Sequence, residues 1–92
     1  MDFEWDPAKA RSNFTKHGIS FSDVEPAFYD QYAISMPDPG AANEERFVLV
    51  GMDAISRIVV VVYTYRGTSI RIISARAATK AERKTYEKGI RF

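Results

Sequence analysis

The sequence predicts an α+β fold, an antiparallel sheet of four to five strands with two N-terminal helices and one C-terminal helix. Three observations carry this. Helix-start signals stand towards both ends, at Asp6-Pro7 and at Thr79-Lys80-Ala81-Glu82. Between them, Arg57–Arg76 reads RIVVVVYTYRGTSIRIISAR, two apolar β-branched runs about a Gly67-Thr68 turn. The strands follow one another in the later half of the chain, which favours a meander with the helices packed against it.

Taken in order, Phe3-Glu4-Trp5 alternates apolar and charged residues and reads as a short edge strand. Asp6 is an N-cap with Pro7 at the first helical position, and Gly18 suits the residue after the helix end. A second helix follows. Ser20 and Ser22 both fit a capping box, and Pro26, tolerable only in a first turn, favours Ser22 as the cap. Residues 30–36 form a short strand, 37–45 a loop, Arg46–Met52 a strand, and Asp53–Ser56 a turn into the hairpin. The last helix runs from the Thr79 capping box to about Lys88, with Gly89 at its end and Ile90-Arg91-Phe92 as a tail. The order is β-α-α-β-β-β-β-α.

A two-residue Gly67-Thr68 loop sets the hairpin register. Gly67 supplies the positive φ of a type II′ turn, and Tyr65 faces Ile70, Thr64 faces Arg71, Tyr63 faces Ile72 and Val62 faces Ile73. One face then carries Val59, Val61, Tyr63, Tyr65, Ile70, Ile72, Ser74 and Arg76, and is read as core. The other carries Val60, Val62, Thr64, Arg66, Ser69, Arg71, Ile73 and Ala75, and is read as the working face because it turns cationic towards the loop.

Ninety-two residues, 46% of them hydrophobic, make a single domain over 1–92 with a small core. The absence of cysteine excludes disulfides and thiolate chemistry and suits the cytoplasm. No apolar run approaches the roughly 20 residues of a membrane span. The acidic start, MDFEWDP, does not read as a signal peptide. Net charge is +1, yet residues 1–56 hold four basic and ten acidic side chains while residues 57–92 hold nine basic and two acidic. A basic half suits a polyanionic partner.

His17 is the only histidine, and so the first candidate for proton transfer at neutral pH. It also stands where a cation caps a helix C-terminus, and both readings stay open. One histidine and no cysteine argue against a zinc site. Nothing calls for a cofactor. Arg66, Arg71 and Arg76 on one hairpin suit a phosphate, since guanidinium binds it bidentately and keeps its charge. Their bland reading is ion pairing with the acids of the first half. Tyr63 and Tyr65 suit base stacking or proton donation, or the core. Lys16, Arg83 and Lys84 read as auxiliary substrate contacts or solvated helix faces.

The blocks Phe3-Glu4-Trp5-Asp6, Lys16–Phe21 (KHGISF), Glu45-Arg46-Phe47, Val62-Tyr63-Thr64 with Arg66-Gly67, Ile70–Arg76, and Arg83 with Tyr86-Glu87 resemble the BrnT toxins of bacterial type II toxin–antitoxin systems. The likeness spans nearly the whole chain; Pro26 departs from it, where the family continues a helix. It implies a RelE-like fold, ribonuclease activity that inhibits translation, and neutralisation by a BrnA antitoxin with a ribbon-helix-helix region. Operator DNA would be reached only through that complex, whose oligomeric state stays open. The chemistry expected is metal-independent cleavage, with 2′-hydroxyl attack leaving a 2′,3′-cyclic phosphate. His17 would do acid or base work, Arg66, Arg71 and Arg76 hold the phosphate, Tyr63 or Tyr65 donate a proton or stack, and Lys16 assist. The rival is a non-catalytic module that binds RNA, the ribosome or a protein.

Overall fold

The computed structural model describes residues 1–40 and 44–89; the expected tail at 90–92 and the middle of the expected 37–45 loop lie outside them. The elements are β1 (Asp2–Glu4), α1 (Pro7–His17), α2 (Phe21–Val24), a 3₁₀ segment (Glu25–Tyr29), β2 (Ile34–Pro37), β3 (Phe47–Met52), β4 (Ile58–Arg66), β5 (Ser69–Ala77) and α3 (Lys80–Lys88). The five strands lie in the order β1-β5-β4-β3-β2.

The sheet is mixed, which corrects the antiparallel expectation. β2 through β5 form the antiparallel meander, but β1 pairs with β5 in parallel, Asp2 against Ser69 through Glu4 against Arg71. A parallel partner needs a long crossover, and the whole chain from α1 to β4 supplies it.

Local chemistry starts and stops the helices. Asp6 accepts from the N–H groups of Ala8 and Lys9 at 2.8 and 3.3 Å, and Gly18, at φ 69°, closes α1 by donating to the Phe14 carbonyl. Thr79 and Glu82 form a reciprocal capping box for α3. The second helix is shorter than expected. It begins after Ser20 rather than Ser22 and lasts one turn, then tightens into the 3₁₀ segment that carries Pro26 near its start. Gly67, at φ 60°, provides the only positive φ of the two-residue loop, the pattern of a type II′ turn.

Two cores flank the sheet. On one face Ile19, Phe21, Val24 and Ala27 pack on Leu49, Val59, Val61, Tyr63, Ile70, Ile72 and Ala75. Gly51 makes room there, since a Cβ would come within 3.1 Å of the Ala27 carbonyl oxygen. On the other face Tyr86 of α3 and Ala78 cover Val50 and Val60. The Tyr86 hydroxyl donates to Asp30, whose carboxylate also accepts from the N–H groups of Tyr32 and Met52. This fastens α3 across the far ends of β2 and β3. The end of the second face nearest the β4–β5 turn lies beyond α3.

Candidate functional site

A β-bulge decides what the open face presents. The expected register holds from Arg66 against Ser69 to Tyr63 against Ile72, and then Val62 meets Ser74 rather than Ile73. Ile73 is the extra residue, and every side chain after it changes face. Ala75 turns into the core and Arg76 turns out, the reverse of the expected assignment. The bulge therefore brings Ser74 and Arg76 onto the face that already carries Thr64, Arg66 and Arg71.

Each of these guanidiniums is met by a carboxylate. Arg71 bonds Glu4 of β1 at 2.7 Å, Arg66 lies 3.4 Å from Glu44, and Arg76 holds both oxygens of Glu82 at 2.8 and 2.9 Å. The pairs are not equivalent. Arg66–Glu44 is long and open to solvent, so it contributes little to stability. Arg76–Glu82 is bidentate and ties α3 to the sheet. Arg71 and Arg76 are five residues apart, about 16 Å of strand, so the three arginines cannot cradle one phosphate. They can meet successive phosphates of one strand.

The Glu82 carboxyl titrates at about 2, held down first by the Arg76 guanidinium and then by the Thr79 N–H. Its folded value lies below the ordinary 4.5, so the folded chain binds fewer protons than the unfolded one. The stabilisation is complete above the ordinary value and is lost as pH falls towards 2. Glu82→Gln should lower the melting temperature at pH 7 and flatten its decline between pH 5 and 2, as thermal melts across that range would show.

The remaining expected residues are dispersed. His17 ends α1, exposed, beside Gly18, whose carbonyl accepts from Arg57 at the start of β4. The nine residues of β4 span about 30 Å, so His17 stands at the end of the sheet opposite Arg66. One site joining His17 to all three arginines is thus corrected: α1 runs parallel to β5 and carries its last turn away from the hairpin loop. Lys16 is exposed at the same distant end. Tyr63 is 4% exposed, bonded to Ser35 at 2.6 Å and packed against Phe28 and Phe47, and burial pushes its phenol up. It belongs to the core face and not to the arginine face. Tyr65 is 58% exposed, edge-on to Phe47, and lines a cleft of about 220 Å³ with Glu44, Glu45 and Thr64. Arg83 and Lys84 lie exposed on α3.

Glu4 is the residue missed by sequence reasoning. The alternation Phe3-Glu4-Trp5 already turned it away from the aromatic face, but only the parallel pairing of β1 puts it beside Arg71. Among the described residues no group of three or more histidine or acidic side chains is placed to hold a metal ion, and no helix is long and apolar enough to cross a membrane.

Against known proteins, residues 5–82 match the family model described as the ribonuclease toxin BrnT of type II toxin–antitoxin systems. The 1.1 Å crystal structure of the Brucella abortus ribonuclease toxin BrnT superposes with a TM-score of 0.68 at 27% identity, over 87% of this chain and 99% of that one. Among curated proteins none matches. A family model that spans most of the chain, together with a shared fold over almost the full length of a solved member, establishes that this chain belongs to the BrnT family of ribonuclease toxins of type II toxin–antitoxin systems.

Proposed function

We propose that this toxin cleaves RNA at the hairpin end of its open sheet face, without a metal ion, and so inhibits translation in the cytoplasm. The observation that carries this reading is the Glu4–Arg71 pair, a carboxylate and a guanidinium 2.7 Å apart on a face that other elements leave partly open. Transesterification of RNA needs those two groups. Arg71 binds the scissile phosphate and takes up the charge that develops on it, and Arg66 holds a neighbouring phosphate. Glu4 releases Arg71 to the phosphate and accepts the proton of the ribose 2′-hydroxyl. The 2′ oxygen bonds to phosphorus, the bond from phosphorus to the 5′ oxygen breaks, and that oxygen takes a proton from water. The products are a 2′,3′-cyclic phosphate and a 5′-hydroxyl. Tyr65 shares the face of Tyr63, so its exposed ring at the hairpin end offers stacking to a base that passes round the loop rather than to one on the arginine face. His17 stands too far along the sheet to share this site.

The fold is read here as RelE-like. Neutralisation is assigned to a BrnA-type antitoxin whose ribbon-helix-helix region brings the complex to operator DNA.

Purified chain should cut RNA in excess EDTA and leave fragments with new 5′-hydroxyl ends. A strict magnesium requirement would overturn the mechanism. One observation favours a binding-only module, namely that every hairpin arginine already has a carboxylate partner. RNA retained on the protein with no new ends would establish that alternative.

A further inference from the structure

The hairpin arginines are ion-paired within the chain, whereas the cations of α1 form no ion pair among the described residues. Pro7–His17 contains Lys9, Arg11 and Lys16 and no carboxylate. All three side chains are exposed, and none forms an ion pair among the described residues. Phe14, on the same helix, is 56% exposed. It forms one wall of a groove of about 410 Å³ with Trp5, Ala10, Arg11, Thr15 and Phe21. The floor is aromatic and aliphatic, and Arg11 stands on its rim. The nearby Ser20 and Ser22 hydroxyls satisfy each other at 2.8 Å, so they offer little competition to an apolar guest.

We infer that this groove is the anchor point of the antitoxin, taking an apolar side chain from an acidic segment whose carboxylates meet Arg11 and its neighbours. The inference rests on the antitoxin reading given above and adds the surface and the chemistry. Concave, largely apolar pockets beside an exposed ring suit a single buried side-chain anchor. Arg11 on the rim, without an ion pair among the described residues, calls for an acidic partner, and the exposed Lys9 and Lys16 of the same helix add to the field that would steer it. A nucleic-acid strand instead asks for a track of cations along it, and this groove, open and apolar, has Arg11 as its one cationic lining residue. Because Trp5, Ala10 and Phe21 pack on the Tyr63, Ile70 and Ile72 face, opposite the one that carries Arg66 and Arg71, the anchor and the RNA face are separable by mutation.

The test titrates the full-length toxin with the product of the adjacent antitoxin reading frame by calorimetry, beside RNA cleavage and thermal melting. Phe14→Ala and Arg11→Glu should each weaken antitoxin binding by about tenfold or more while leaving cleavage and melting near wild type. If wild type does not bind that product, the antitoxin reading falls and the anchor with it. If wild type binds and both variants bind equally well, the anchor alone is overturned. Loss of RNA binding in the variants with antitoxin affinity intact would assign the surface to RNA and also overturn it. Should Phe14→Ala fail to fold, Arg11→Glu, at an exposed helical position, decides the matter.

Discussion

Arg71→Ala is expected to lower RNA cleavage about a hundredfold while leaving the melting temperature within a few degrees of wild type. The magnitude follows from the role. A guanidinium that meets charge as it develops on phosphorus is worth about 2.7–4 kcal/mol in the transition state, or two to three decades in rate. The stability cost should be small, because the Arg71–Glu4 pair is partly open to solvent, with side-chain exposures of 30% and 41%. Arg71→Lys should recover only part of the loss, since a point charge replaces the planar fork. Glu4→Gln separates the two duties of the pair. It frees Arg71, so RNA binding tightens, and it removes the proton acceptor, so turnover falls. Weaker binding and normal turnover in Glu4→Gln would refute the assignment. Arg66→Ala should act differently again, flattening the dependence of log affinity on log salt by about 0.7 with a modest effect on turnover. Single-turnover cleavage and binding across a salt series would distinguish these outcomes.

Much of this fold could be read from short-range chemistry. Asp6-Pro7, Gly18, Gly67 and the Thr79–Glu82 box act over a few residues, and each sets an element boundary in the structure. The features that build the candidate site have a different origin. The bulge at Ile73 belongs to the fit between two strands, and no residue in IRIISAR announces it. Its effect is large, because one inserted residue exchanges Arg76 and Ala75 between core and surface. The parallel docking of β1 joins Glu4 to Arg71 across 67 positions, beyond the reach of any periodicity. The charge asymmetry between the halves was visible, but its meaning was not. Carboxylates of the acidic half, Glu4 and Glu44, sit on Arg71 and Arg66, so the cations left without an ion pair on α1 belong to the half with net negative charge. His17 was drawn towards the arginines by chemistry alone, and the direction of α1 carries it elsewhere.

The largest stability effect is expected from Asn13→Ala, at about 3 kcal/mol. Asn13 is the one buried residue of α1, 8% exposed. β1 stops pairing at Arg71, yet β5 continues to Ala77, so its outer edge would lack a partner there. The Asn13 side chain takes the place of a strand. Its amide nitrogen donates to the Ala75 carbonyl at 2.8 Å and to the Ile19 carbonyl at 3.2 Å, and its oxygen accepts from the Ala75 N–H at 3.1 Å. Truncation leaves three buried backbone groups without partners, at roughly 1–3 kcal/mol each before any water enters. Against a total stability of about 5–15 kcal/mol this is a large share, and the melting temperature should fall by more than about 10 °C. Asn13→Asp supplies the control. The carboxylate keeps the acceptor but loses both donors, and burial disfavours its charge, so its folded pKa lies above the unfolded value near 3.9. Its stabilising form is therefore the protonated one, which can donate to Ala75 as the amide does. Asn13→Asp should gain stability relative to Asn13→Ala as pH falls through that raised folded pKa, hold the full gain below about 4 and lose it as pH rises again. A parallel pH course for the two variants would show that Asn13 acts by filling space rather than by completing the edge of β5.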